Sequence, residues 1–255
     1  MATALDVYIL LFLRASGLIF SSPIFGRRNI PNIAKIGLSG ALAFLFLTSV
    51  PDTPPIYYDN IITFIMLCIM ELMFGVVFGY ITNLFITLVF TAGQLMDMQS
   101  GFGMVSVFDV QSNLSIPITG NLLNIAILLV FFLVDGHLKL IHILYTTVLR
   151  IPVGTVQIMP NIALVATQLF AETFILAVNV AMPIIFSGLL LEATMGIIVK
   201  SVPQLNVFSV GLPLKVLGGL VILMVIVPVF VDFTDVIFNS MFAGLEQMFA
   251  AMMSS

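Results

Sequence analysis

Ala92-Gly-Gln-Leu-Met-Asp-Met-Gln-Ser-Gly-Phe-Gly-Met-Val-Ser-Val-Phe-Asp-Val-Gln-Ser-Asn-Leu-Ser-Ile-Pro-Ile-Thr-Gly-Asn121 is the longest polar, glycine-bearing interval in an otherwise apolar chain. It carries two carboxylates, Asp97 and Asp109, and three glutamines, Gln94, Gln99 and Gln111. The segments on either side are apolar for long enough to cross a bilayer, which takes about 20 residues. Irregular backbone in hydrocarbon leaves N–H and C=O groups unpaired at a cost of several kcal/mol each. The stretch must therefore line water, pack inside protein or lie outside the membrane, and its neighbours must be helices.

Composition supports that reading. Of 255 residues, 61% are hydrophobic and 8% charged, against about 25% charged in a soluble domain. The chain reads as an all-α, membrane-associated bundle. A net charge of −4 gives no basic surface for nucleic acid. The single cysteine, Cys68, lies in an apolar run. It excludes an intrachain disulfide and a Cys-rich metal site, and reads as a small buried hydrophobe. Asp6 is the only charge before Arg14, so the N-terminus lacks the basic region of a cleavable signal and is expected to be retained.

Working outward, Leu5–Phe20 is a first span interrupted by Arg14. A basic residue at mid-span costs about 2.5–3.5 kcal/mol. Arg14 must snorkel, find a carboxylate or carbonyl, or face protein. The turn from Ser21 to Pro31 carries Arg27 and Arg28, followed by Lys35; the positive-inside rule places it in the cytoplasm. A second apolar segment ends at the Pro51–Pro55 break, where Asp52 and Asp59 mark the opposite face. Ile61–Thr91 is apolar for 31 residues, about 46 Å of helix. It either protrudes from the membrane or bends near Gly75 and Gly79. Glu71, Gly75 and Gly79 fall on one helical stripe, so the acid is expected to face a protein neighbour that the glycines let approach closely.

After the central stretch, Leu122–Val134 ends at Asp135-Gly-His137, with Lys139 and His142 beyond. This reads as a helix start with a cap or turn rather than a metal site. Ile162–Leu191 contains Pro183, expected to kink the helix near residue 179. Glu192, Gly196 and Lys200 share a face, with the two charges expected to pair through a neighbour. Ser201–Pro213 forms a second polar break. A last span, Val216–Val231, precedes a tail with apolar residues at helical spacing. The sum is about six apolar segments. No nucleophile–base pair, phosphate loop or metal constellation is present, so the chain reads as non-enzymatic, with no cofactor. Paired broken segments are also found in secondary transporters. A proton-coupled small-molecule transporter, with Asp97, Glu71 and Glu192 as coupling sites, therefore stays open, as does a pure scaffold.

Taken in order, several motifs resemble the FliR family of flagellar export-gate proteins and its injectisome counterpart. They are Arg14-Ala-Ser-Gly-Leu18, Pro23-Ile-Phe-Gly26 with Ile30-Pro31, Glu71 with Gly75 and Gly79, Ala92 to Gly103, Asp135-Gly-His137, and Pro203-Gln-Leu-Asn-Val-Phe208. The Asp135-Gly-His137 motif looks like the flagellar branch. Val110 stands where proline is expected, and Lys200 where arginine is expected. The resemblance implies one export-gate domain over 1–255, with long, kinked helical hairpins inside a larger helical assembly: residues 1–121 similar to FliP and ending in a plug loop, residues 122–255 similar to FliQ. It implies a single-copy subunit in the bacterial inner membrane, within the flagellar basal body and in part above the membrane plane. The implied partners are FliP, FliQ, FlhB and unfolded flagellar proteins in transit. It implies a luminal plug at about Gly103 to Gly120, with Gly101, Phe102, Gly103, Met104, Val105, Val107, Phe108 and Asp109 as plug and hinge residues. Arg14, Glu71, Gln94, Asp97, Glu192, Lys200, Gln204 and Asn206 are the expected subunit contacts.

Overall fold

The computed structural model describes residues 4–49, 58, 60–103, 117–156, 161–201 and 207–253. Every regular element among them is an α-helix: α1 (Ala4–Ser21), α2 (Asn32–Ser49), α3 (Ile61–Ser100), α4 (Ile118–Leu133), α5 (Gly136–Arg150), α6 (Asn161–Ser201) and α7 (Val207–Met253). The chain is an all-α membrane protein. Five helices are long and apolar enough to cross a membrane, and α4 with α5 makes a sixth, bent by 66°.

The long apolar run after residue 60 becomes one helix of 40 residues, with no break at Gly75 or Gly79. Helix α6 continues through Pro183, and α7 runs for 47 residues through Pro213 and Pro228. This differs from the sequence reading, which ended a polar break at Pro213 and separated the last span from the tail. A proline removes one backbone bond. With little water to compete for the remaining ones, an apolar helix survives that loss. The elbow between α4 and α5 has a local cause. Asp135 adopts a left-handed conformation, φ 55°, and its carbonyl accepts the Leu138 and Lys139 N–H groups. Gly136 follows because a Cβ there would lie 2.4 Å from the Phe131 ring.

The chain divides into two compact units. The first comprises Met1–Phe85, Phe131–Phe170 and Phe238–Ser255. Its centre is the crossing of α1 and α3. A Cβ on Gly17 would lie 2.5 Å from the Leu72 carbonyl oxygen, and one on Gly75 would lie 2.1 Å from the Arg14 carbonyl oxygen. The glycine stripe read from the sequence is thus occupied by α1. Phe74 and Phe78 stack beside it at 4.8 Å. The end of α7 closes this core with Phe238, Met241, Leu245, Met248 and Phe249, all buried, as the apolar spacing of the tail suggested. The turn after α1 is held by Lys35, whose Nζ donates to the Gly26 carbonyl at 2.9 Å, while Arg28 stays exposed.

The second unit comprises Ile86–Val130 and Ala171–Ile237. Val89, Ala92, Met96, Leu123, Ile127, Ala181, Ile184 and Phe230 form its core. Its outer surface is apolar: Phe186, Ile197, Leu217, Met224, Val225 and Val229 are all more than half exposed. Lipid or a neighbouring helix must cover them.

The two kinds of helical glycine predict opposite outcomes. Gly75→Ala should destabilise the purified chain by about 1–3 kcal/mol, as overpacking does. Gly37, with nothing within 4 Å of an added Cβ, should instead gain about 0.5–1 kcal/mol as Ala. Thermal unfolding in detergent distinguishes them; equal responses would contradict the α1–α3 crossing.

Candidate functional site

Arg14 solves its mid-span problem with a carboxylate and two carbonyls together. Both Arg14 and Glu71 are fully buried. Arg14 Nε donates to Glu71 Oε2 at 2.6 Å and an Nη donates to Oε1 at 3.0 Å, the two-pronged geometry that only a guanidinium supplies. The other Nη reaches the carbonyls of Thr147 and Ile151 at 3.3 and 3.2 Å. These belong to the end of α5, where unpaired carbonyls and the helix dipole favour a cation. The guanidinium also lies 4.7 Å over the Phe74 ring. Glu71 Oε1 accepts the Gly154 N–H at 2.8 Å, and Gly154 has φ 84°. One buried ion pair therefore ties α1, α3, the end of α5 and the following loop. Its partners Thr147, Ile151 and Gly154 carried no sequence signal, since they act through the backbone.

The polar stretch has its own anchor in the second unit. Asp97, 5% exposed, accepts hydrogen bonds from the Thr119 N–H at 3.3 Å and from the Thr119 hydroxyl. Thr119 is in the first turn of α4, so Asp97 caps that helix from another. One turn earlier on α3, a Cβ on Gly93 would lie 2.2 Å from the Gly120 backbone. Gly103 returns to the same place: a Cβ on it would lie 3.4 Å from the Asp97 carbonyl oxygen. Both flanks of residues 104–116 thus meet at Asp97. Gly101, with φ 84°, turns the chain out of α3.

A third cluster lies where α3 ends against α6 and α7. Lys215 pairs with Glu192. Lys200 shares the Glu192 face but is exposed, and Gly196 between them has nothing within 4 Å of an added Cβ. The neighbour that pairs with Glu192 is therefore Lys215, which sequence spacing did not single out. Gln94 is exposed. Phe102 and Gly103 are half-buried at the end of the turn. Met104, Val105, Val107, Phe108, Asp109, Val110, Gln204 and Asn206 lie outside the described residues.

The family model described as bacterial export proteins, family 1, matches residues 5–241. The chain belongs to this family, that of FliR. A flagellar biosynthetic protein FliR of Bacillus subtilis is 31% identical over 223 residues, covering 86% of this chain and 85% of the relative. That of Escherichia coli is 27% identical over 240 residues, covering 93% and 90%. That of Aquifex aeolicus is 30% identical over 220 residues, covering 86% and 84%. The FliR match spans Arg14, Glu71, Asp97 and Glu192 alike, so the three polar anchors lie within the family's own length.

Breaking the buried pair should be costly. Glu71→Leu or Arg14→Met alone should destabilise the chain by about 3–5 kcal/mol by leaving one buried charge unpaired, while the two together should cost much less than the sum. Unfolding of the three variants in one detergent gives the coupling; additive losses would show that the two groups do not depend on each other.

Proposed function

We propose that this chain is a single-copy subunit of the flagellar type III protein-export gate in the bacterial inner membrane. It would form a central channel with FliP-, FliQ- and FlhB-type partners, through which unfolded flagellar proteins pass. Residues after Gly101 would supply a plug. The observation that carries this reading is the clamp at Asp97. It brings the two flanks of residues 104–116 to one point, so the 13 intervening residues leave and return at the same place. A connector between helices could be far shorter. Met104, Val105, Val107 and Phe108 make this segment partly apolar in composition, and an apolar constriction excludes ions by dewetting. The open apolar surface of α6 and α7 supports assembly with other helices or lipid, with Lys200, Gln204 and Asn206 at subunit contacts.

The transporter reading named Glu71, Asp97 and Glu192 as coupling acids. Each has a partner here: Arg14 and Gly154 for Glu71, Thr119 for Asp97, Lys215 for Glu192. A coupling acid must be open to its solute, and these three are engaged by the chain's own groups. That favours the export channel.

Replacing residues 105–115 with a short Gly-Ser linker spares the Asp97–Thr119 clamp. It should leave assembly of the complex intact and raise ion leak through membranes that contain it. Unchanged conductance in an assembled complex would remove the plug assignment, and lost assembly would give the segment a scaffolding role instead.

A further inference from the structure

The last turn of α3 sits in a socket made by two glycines, one on each helix of the α6–α7 pair. A Cβ on Gly188 would lie 2.4 Å from Gln99 Cγ, and a Cβ on Gly219 would lie 2.6 Å from Ser100 Cβ. Gly219 could not carry a side chain with the turn in place, and one on Gly188 would displace the Gln99 side chain. The next residue, Gly101, packs against Leu212, Lys215 and Val216. Beside the socket, the Glu192–Lys215 ion pair links α6 to α7. The fit is close in shape but poor in polar pairing. Ser100 is 4% exposed and its hydroxyl has no hydrogen-bond partner among the described residues. The Gln99 side chain reaches the Glu192 carboxylate instead.

Buried polar groups are nearly always paired, because water pairs them in the alternative state. An unpaired hydroxyl at a tightly fitted contact therefore lowers the difference between the seated and the unseated turn. The glycine fit holds the turn, and the unmet hydrogen bond of Ser100 favours its release. Gly101, already in the left-handed region, is the natural pivot.

We propose that the α3 terminal turn, Gln99 to Gly101, is a releasable latch: it occupies the Gly188–Gly219 socket in the idle channel and leaves it when the channel conducts. Gln99, Ser100, Gly188 and Gly219 are then positioning residues for the segment that follows. The inference rests on the export-channel reading above, and deepens it.

The test uses the full chain in the assembled complex, in cells lacking their own copy, with Cys68→Ser to remove the native thiol. Gly101→Cys with Lys215→Cys, whose Cβ atoms would lie 3.8 Å apart in the seated turn, the usual separation across a disulfide, should form an intramolecular disulfide on oxidation, seen as a mobility shift. Export of flagellar proteins should fall at least tenfold, and a reductant should restore it to within twofold of the single-cysteine controls. A disulfide that forms without slowing export, or that does not form in idle complexes, overturns the latch. Gly219→Ala provides a second measurement that needs no cysteine. By pushing Ser100 out of the socket, it should raise idle ion leak several-fold, and an unchanged leak overturns the proposal. The two readings can fail separately. Leak that rises on linker replacement but not with Gly219→Ala removes the latch and keeps the plug. Leak unaffected by linker replacement removes the plug, while the disulfide result still reports on the socket through export.

Discussion

The charge on Arg14 is the constraint from which the first unit is built. A guanidinium with no access to water must have a full set of partners, because an unpaired buried charge is among the costliest features a fold can carry. Glu71 supplies the charge, and the end of α5 supplies carbonyls that its own helix leaves unpaired. Such a set has one solution. Sliding α1 along α3 by a turn, about 5.4 Å, would separate Nε from Oε2 entirely. The glycines at 17 and 75 allow the backbones to meet closely enough for the pair to form, and the pair selects the one register in which those glycines face each other. Buried ion pairs give little net stability, but here specificity is the scarcer quantity. Apolar helices attract each other in almost any register, and a hydrogen-bonded charge distinguishes among them.

Asp97 applies the same logic with a weaker partner. A carboxylate at the start of α4 meets the unpaired N–H groups and the positive end of the helix dipole, and Thr119 adds its hydroxyl. The Gly93–Gly120 contact again brings two backbones together beside the polar anchor. Glu192 and Lys215 form the opposite case. Both are partly exposed, and such a pair contributes about 0–1 kcal/mol. It can break at small cost, which would suit the proposed release of the α3 terminal turn.

How much of this could be read from the sequence depended on whether a side chain or the backbone did the work. Composition fixed the class, and the apolar runs located about six segments, but they stopped short of the ends of α3 and α6 and divided α7 into a span and a tail. The stripe of Glu71, Gly75 and Gly79 announced a close protein neighbour, and Arg14 announced a need for a carboxylate or carbonyl. That these two needs answer each other required the fold, since 57 residues separate them. The carbonyls of Thr147 and Ile151 and the N–H of Gly154 were invisible because every residue owns such groups. Pro213 misled for a related reason. Proline forbids one backbone bond, but the cost of losing it depends on whether water or apolar side chains surround the helix, and the sequence around α7 states that only when read as a whole.

Glycine usage in the helices gives the last step. A glycine inside a helix costs about 0.5–1 kcal/mol relative to alanine. Most helical glycines here recover that cost within the chain, where a backbone or side chain sits in the space of the missing Cβ: Gly17 and Gly75 at the α1–α3 crossing, Gly93 and Gly120 at the Asp97 clamp, Gly188 and Gly219 at the α3 terminal turn. Among the described residues, nothing lies within 4 Å of an added Cβ on Gly37 of α2 or Gly196 of α6. Each lies among exposed apolar side chains, Ile33 and Ile36 near the first and Ile197 near the second. The isolated chain gains nothing from either. In the proposed gate they have a reason, because a helix of a partner subunit can approach these two faces as closely as α1 approaches α3. The same device that fixes register inside the chain is then left unfilled on its outside, at the faces where an assembly would complete it.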